Sequence, residues 1–276
     1  MRPLESLSAR IASREIFEKI YDDYNKRIYI SPDPLQFLYD YEKTSDREVV
    51  GLIASGLAYG RVAQILKSVK RVLDVLGAHP ARYLRETPPR VYEEELRGFV
   101  HRFTDSAEMC AFLAAIGEAL REYGTIESLF VSGMGGGLRA AMGKFADTMC
   151  HYAGRENLFL MPRPEKGSAC KRMALYLRWM VRRDDVDPGG WSGVSRAELL
   201  IPLDTHMFNI SSTLGLCLCK SANGRAADEI TAKFRDISPD DPVKYDFALT
   251  RYGIRADMTV EELFAKWHIE RGEGTR

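Results

Sequence analysis

No apolar run in this chain approaches the roughly 20 residues that a membrane span requires. Its opening stretch, MRPLESLSARIASREIFEKI, also lacks the apolar segment of a signal peptide. The expectation is a cytoplasmic protein with no membrane partner. Cysteine is sparse. Cys110, Cys150, Cys170, Cys217 and Cys219 make an odd number with no C-x-x-C pair. That pattern argues against a disulfide framework, a zinc site and an iron–sulfur cluster, so neither metal nor cofactor is expected and most of these thiols read as small buried hydrophobes. An excess of charge of one sign is missing too, since 39 Lys and Arg balance 39 Asp and Glu. A generic nucleic-acid binder is usually basic, so any such binding here needs a local patch. No segment alternates as a strand for long, and there is no low-complexity tract or internal repeat.

Helical periodicity fills the space that these absences leave. The chain has 276 residues and is 45% hydrophobic, enough for a substantial core in one large domain or two small ones. Residues 8–26 place Ile11, Ile16, Phe17, Ile20 and Tyr21 at helical spacing. Pro32 and Pro34 open a short helix through Leu38 and Tyr41. Ser45 with Glu48 has the form of a capping box for a helix over 46–58. A helix over 61–76 ends at Gly77. Further helices are expected near 80–86, 106–122, 136–152, 171–183, 205–214, 225–235, 241–251 and 259–268. Loops are expected at 98–105, 132–136, 155–168 and 184–194, the last containing D-P-G-G-W-S-G. The predicted fold is mainly α. Residues 1–276 read as one all-α unit of two helical lobes with a central cleft.

The basic patch lies at 161–183, MPRPEKGSACKRMALYLRWMVRR, with seven Lys and Arg residues against the single acid Glu165. Met173, Leu177, Met180 and Val181 form the buried stripe of its helix, while Lys171, Arg178 and Arg182 share another face. The same pattern suits a solvated helix face. A glycine-containing turn that feeds a helix exposes N–H groups suited to a phosphate, and such contacts position a protein on a duplex without reading its sequence. Lys171 opens the helix, where the partial positive charge of the helix start disfavours a protonated amine; only the neutral amine attacks as a nucleophile. Downstream, I-P-L-D-T-H-M-F runs apolar residues up to Asp204 and then into a helix. Asp204 reads as an N-cap, and a capping carboxylate has a second oxygen to spare. His206, two residues on, reads as a core histidine.

These residues together resemble the helix–hairpin–helix DNA glycosylases, the superfamily of endonuclease III and the 8-oxoguanine DNA glycosylases. Lys171 falls where that superfamily has its Schiff-base lysine and Asp204 where it has its catalytic aspartate. Gly167 matches the first hairpin glycine; Ala169 replaces the second, and the L-P-G-V-G string is absent. The interval from Lys171 to Asp204 is widened by 184–199, which is most similar to the archaeal 8-oxoguanine glycosylases. VVGLIASGLAYGRVAQILKSV (49–69) resembles the helix–loop–helix that carries the base-displacing wedge, with Tyr59 or Arg61 in place of the usual glutamine. DPVKYDFALTRYGI (241–254) resembles the closing helix. The whole chain, with LAYGR, CKR…LRWMVR and IPLDTH, also looks like a conserved bacterial family without an assigned activity.

The resemblance implies a two-lobed helical fold with a helix–hairpin–helix-like element and a bifunctional activity, glycosylase and AP lyase, on damaged double-stranded DNA. 8-Oxoguanine is the expected lesion and a monomer the expected state. It implies DNA contacts from Tyr59, Arg61, Lys166, Gly167, Ser168, Arg172, Arg178 and Arg182, and a pocket for a flipped base that draws on Trp179 and Trp191. Two other readings stand beside it. One is a non-catalytic nucleic-acid-binding module of the same fold; the other is a helical protein-interaction protein, which the net neutrality favours.

Overall fold

Short polar side chains begin many of the helices. Asp105, Thr125, Asp204 and Asn223 each turn an oxygen onto a first-turn N–H of the helix that follows. Each satisfies a donor that the helix itself leaves unpaired. The computed structural model describes residues 7–254, 258, 259, 262, 263 and 265, with side chains from residue 14 onward. Six of the ten residues of the predicted helix over 259–268 therefore fall outside the described residues.

The chain is mainly helical and divides into two compact units, neither continuous in sequence. Helix α1 (Leu7–Tyr24) belongs to the first unit. The second unit holds α2 (Thr44–Gly56), α3 (Val62–Leu76), α4 (Pro80–Glu86), α5 (Pro89–Glu95), a hairpin of β1 (Val100–His101) and β2 (Thr104–Asp105), then α6 (Ser106–Tyr123), α7 (Ile126–Val131) and α8 (Leu138–Tyr152). Helix α9 (Lys171–Val181) starts in the first unit and ends in the second. Helices α10 (Thr205–Thr213), α11 (Gly224–Ile237) and α12 (Asp246–Ile254) complete the first unit.

In the first unit α1 packs on α11 and α12. The Phe17 ring stacks on Tyr245 at 5.3 Å and meets Phe234 edge-on at 5.6 Å, a geometry that aromatic pairs favour beyond their buried area. In the second unit α6 is the hub, touching α4, α5, α7 and α8 through buried Phe112, Leu113, Ile116 and Leu120. Helix α2 is buried from Glu48 to Gly56. Gly51 lets the Tyr176 ring come so close that a Cβ there would lie 3.2 Å from it.

Three expectations need correction. Ser45 and Glu48 form no capping box, because Lys43 is the N-cap of α2 and makes no side-chain cap bond. Glu48 is instead buried. It accepts the N–H groups of Ile126 (3.3 Å) and Glu127 (2.9 Å) at the start of α7 and the Trp191 indole N–H at 2.8 Å. Burial pushes its carboxyl above the usual range, and these donors hold the rise back. The stretch 98–105 is not a plain loop but contains the β1–β2 hairpin. Helices α5 and α7 form where the periodicity predicts none; at six or seven residues they are too short to show it. Gly77 does end α3, at φ 68°.

Candidate active site

Asp204 and Lys171 meet within the first unit. The PLD string is extended and buried through Leu203, and the chain turns at Asp204 into α10. One carboxylate oxygen of Asp204 accepts the Met207 N–H at 2.8 Å and so caps the helix. The other lies 3.6 Å from Lys171 Nζ at the first residue of α9. Both side chains are partly open to solvent, Lys171 at 33% and Asp204 at 18%. A single carboxylate thus fixes its own position through the cap and presents its free oxygen to an accessible amine. An ion pair this exposed contributes only about 0–1 kcal/mol to stability. What it provides chemically is a carboxylate held beside an accessible amine, the pair that acid–base and nucleophilic chemistry would need.

The turn before Lys171 is built with unusual backbone. Gly167 sits at φ 72° and Cys170 at φ 49°, a left-handed conformation that few residues other than glycine adopt. Ser168 Oγ accepts the Cys170 N–H at 3.0 Å, and Gly167 O accepts the Gly224 N–H from the start of α11 at 2.9 Å. The approach to Gly224 is close, since an added Cβ would lie 3.0 Å from Ser168 O and the turn would have to give slightly. Gly167 is exposed, while Ser168 and Arg172 are partly exposed. His206 is exposed rather than in the core. Gly253 of α12 packs against it, so that an added Cβ would sit 2.6 Å from His206 Nδ1.

Four expected contacts lie in the interior of the second unit instead. Arg178 and Arg182 are buried, their side chains 3% and 4% exposed. Arg178 Nε donates to Asp187 Oδ1 at 3.2 Å, Arg182 Nη1 donates to Asp187 Oδ2, and Arg182 Nη2 pairs with Asp184 at 2.8 Å. They fasten the 184–191 loop rather than a phosphate. Burial raises the Asp187 carboxyl against the pull of the two guanidiniums. The loop in turn bonds α9, as the Gly189 and Trp191 N–H groups donate to the Trp179 and Met180 carbonyls. Trp179 is fully buried. Trp191 is 6% exposed, anchored to Glu48 and packed on Phe130 and Tyr176. Both are core side chains, not the walls of an open base pocket.

Tyr59 is held as well. Its hydroxyl lies 2.7 Å from both His101 O and Thr104 Oγ1, and its ring meets His101 and Phe159 edge-on. A ring so tethered is ill-suited to swing into a duplex. His101 is itself buried and keeps its proton on Nε2, which donates to Tyr59 O at 3.0 Å. Burial holds its imidazole below the usual range and therefore neutral at pH 7. Arg61 and Lys166 are exposed as expected, Lys166 donating to Asn157 Oδ1 at 2.9 Å.

Tyr59 and His101 instead support a different exposed group. The two residues between β1 and β2 are Arg102, at φ 53°, and Phe103, 72% exposed. Arg102 lies over the Phe103 ring at 5.5 Å, and Phe103 meets the 43% exposed Phe159 at 5.8 Å. Gly60 makes room for the arginine, since a Cβ there would be 2.7 Å from Arg102 Cδ. The sequence signal for this tip is the R-F pair at 102–103 inside the stretch expected as a loop at 98–105; Phe159 joins it from 56 residues on.

Residues 33–255 match a family described as a protein of unknown function (DUF2400). The chain belongs to this family. No curated protein and no solved structure matches the chain. The DUF2400 match spans Lys171, Asp204 and Gly253 as well as the Arg102–Phe103 tip, so every residue of both groupings lies inside the family region. Among the described residues no helix is long and apolar enough to cross a membrane.

Proposed function

We propose that the protein is a DNA repair glycosylase with AP lyase activity, acting on an oxidised base such as 8-oxoguanine in duplex DNA. One observation carries the reading. The second oxygen of the capping Asp204 lies 3.6 Å from Lys171 Nζ, and both groups are open to solvent. Asp204 takes a proton from the Lys171 ammonium. The neutral amine then attacks C1′ of the damaged nucleotide, the C1′–base bond breaks, and the proton held by Asp204 leaves with the base. The carboxylate also stabilises the cation-like sugar as the bond breaks. Ring opening gives a lysine imine, and loss of a C2′ proton expels the 3′ phosphate. The target base is taken out of the stack before any of this, and stacking and hydrogen bonds repay that cost. Trp179 and Trp191 are internal; in the second unit the exposed Phe103, with Arg102 over its ring, offers a separate face on which a base can stack.

The test is covalent trapping. The protein is incubated with an 8-oxoguanine duplex and borohydride, which reduces the imine to a stable amine. The expected result is a protein–DNA adduct that Lys171→Ala abolishes and Asp204→Asn strongly reduces. Absence of an adduct on that duplex, on an abasic duplex and on a panel of other lesions would remove the lyase activity.

A further inference from the structure

The C-x-C pair Cys217–Cys219 lies in the loop between α10 and α11, and the structure adds a third group to it. Two residues apart in an extended loop, the side chains at 217 and 219 turn to the same side while the one between turns away. Leu218 is accordingly 78% exposed, Cys217 is buried, and Cys219 is partly open. Glu229 reaches back from α11. Its Oε1 accepts the Leu218 N–H at 2.9 Å, which fixes the carboxylate and aims Oε2 at the sulfurs, 3.2 Å from Cys219 Sγ and 3.7 Å from Cys217 Sγ. One ligand atom from each of the three residues falls within 4.8 Å of the others. The Cys219 N–H bonds the Cys217 sulfur, a contact that favours thiolate.

The geometry points to a metal site formed by Cys217, Cys219 and Glu229 that takes a borderline-soft divalent ion, zinc above all. The donor set decides the class. Two sulfurs and one carboxylate suit zinc, cobalt or cadmium and disfavour magnesium and calcium, which require oxygen. With both thiols ionised the three groups carry three negative charges against two positive, and three protein ligands leave the fourth tetrahedral position to water. Two protons leave the thiols as the ion enters. Without an ion, burial pushes the Cys217 thiol up to about 11, and the bond to Glu229 raises Cys219. The Leu218 amide acts as the outer-shell group that orients the carboxylate. The spacing of the cysteines alone conceals this site, because the third donor comes from a helix ten residues on. The ion would join the 216–223 loop to α11, whose first N–H bonds Gly167 O in the turn before Lys171. The site therefore braces one side of that turn, whatever reaction Lys171 performs.

The experiment uses the full chain, kept reduced and stripped of metal by chelation, then titrated with cobalt(II) and with zinc. The expected result is one equivalent bound per chain, a sulfur-to-cobalt charge-transfer band with the intense visible absorption of tetrahedral cobalt, and its loss on adding zinc. The Cys217→Ser/Cys219→Ser variant should lose the band, and Glu229→Gln should weaken zinc binding by at least the roughly 10–100-fold that loss of an outer-shell partner costs. Cys110→Ser, outside the site, should keep full binding. Circular dichroism confirms that each variant is folded. A reduced, folded protein that binds no stoichiometric cobalt or zinc overturns the site. So does binding that survives in the double serine variant, or a Cys217–Cys219 disulfide that forms in air and is not prevented by equimolar zinc.

Discussion

Replacing Asp187 by alanine should cost the protein a large part of its stability. The carboxylate sits between two guanidiniums, and all three side chains are at most 4% exposed. Removing one partner of a buried pair strands a charge in the interior, at about 3–5 kcal/mol. Arg182 keeps Asp184 at 2.8 Å, which places the expected loss near the lower end, about 3 kcal/mol. Against a total stability of roughly 5–15 kcal/mol, urea unfolding should shift its midpoint down by on the order of 1 M. Arg178→Met with Asp187→Leu removes a charge of each sign together and should cost far less, because apolar pairs of similar volume replace buried ion pairs at little cost. That variant separates structure from binding. If Arg178 is internal, the double variant leaves the salt dependence of DNA binding unchanged. If Arg178 instead neutralises a phosphate, its removal reduces the slope of log K against log salt by about 1. A midpoint unmoved by Asp187→Ala, or a slope reduced in the folded double variant, would refute the assignment of these arginines to the interior.

Three further outcomes follow from single contacts. Gly253→Ala places a Cβ 2.6 Å from His206 Nδ1 and 2.9 Å from its Cβ, so the start of α10 must shift. The expected cost is about 1–3 kcal/mol, with borohydride trapping reduced; wild-type melting and trapping would show that the contact relaxes freely. Glu18 is worked upward by burial, but its bonds to Lys244 (2.5 Å) and Tyr245 (2.8 Å) outweigh this and hold its carboxyl below 4.5. A lowered folded pKa contributes stability that is present above the unfolded value and lost as pH falls through the folded one. Glu18→Gln should therefore flatten the decline in stability below pH 4.5, and an unchanged acid limb of the stability–pH curve would count against it. Phe103→Ala should change stability by less than about 0.5 kcal/mol, because the ring is 72% exposed. It should weaken DNA binding by about 1–3 kcal/mol, the worth of one stacked base; equal affinity in a filter or fluorescence assay would take the tip out of the interface.

Helix positions were legible from the sequence where an amphipathic run was long or a polar residue preceded more than two turns of it, unlike the six-residue α7 behind Thr125. Asp204 is the clearest case, since capping chemistry is local and the expected helix at 205–214 begins with the observed one at Thr205. Lys171 at the opening of α9 is equally local. Their approach to 3.6 Å is not, because nothing in a spacing of 33 residues states it. The resemblance to the glycosylases supplied that expectation. Long-range partners are also what misled the local patterns. S-D-R-E reads as a capping box until Trp191, 143 residues away, claims the Glu48 carboxylate. Arg178 and Arg182, four apart on the helix expected over 171–183, read as a solvated face because their counter-charge arrives from a loop that folds back; α9 itself ends at Val181. The acids at Asp184 and Asp187 are a signal for that arrangement, visible within nine residues of both arginines. The β1–β2 hairpin has two-residue strands, too short for any alternation to show.

Moving Arg178 and Arg182 inside changes what kind of DNA binding the proposed function can rely on. With 39 cationic and 39 anionic side chains overall, the basic stretch at 161–183 was the one local source of strong phosphate attraction. Of the expected cationic contacts, Arg61 and Lys166 stay exposed and Arg172 partly so, and the tip adds Arg102 as a fourth. Four phosphates neutralised correspond to a slope of about −3.6 in log K against log salt. A pure binding module needs ground-state affinity, and so few contacts serve it poorly. A glycosylase does not, because the interactions that speed its chemical step are those strengthened in the transition state. Weak and shallowly salt-dependent binding to undamaged duplex, with trapping that requires Lys171, is therefore the expected signature. A slope of about −6 or steeper would mean a basic surface elsewhere on the chain and would favour the binding module over the enzyme.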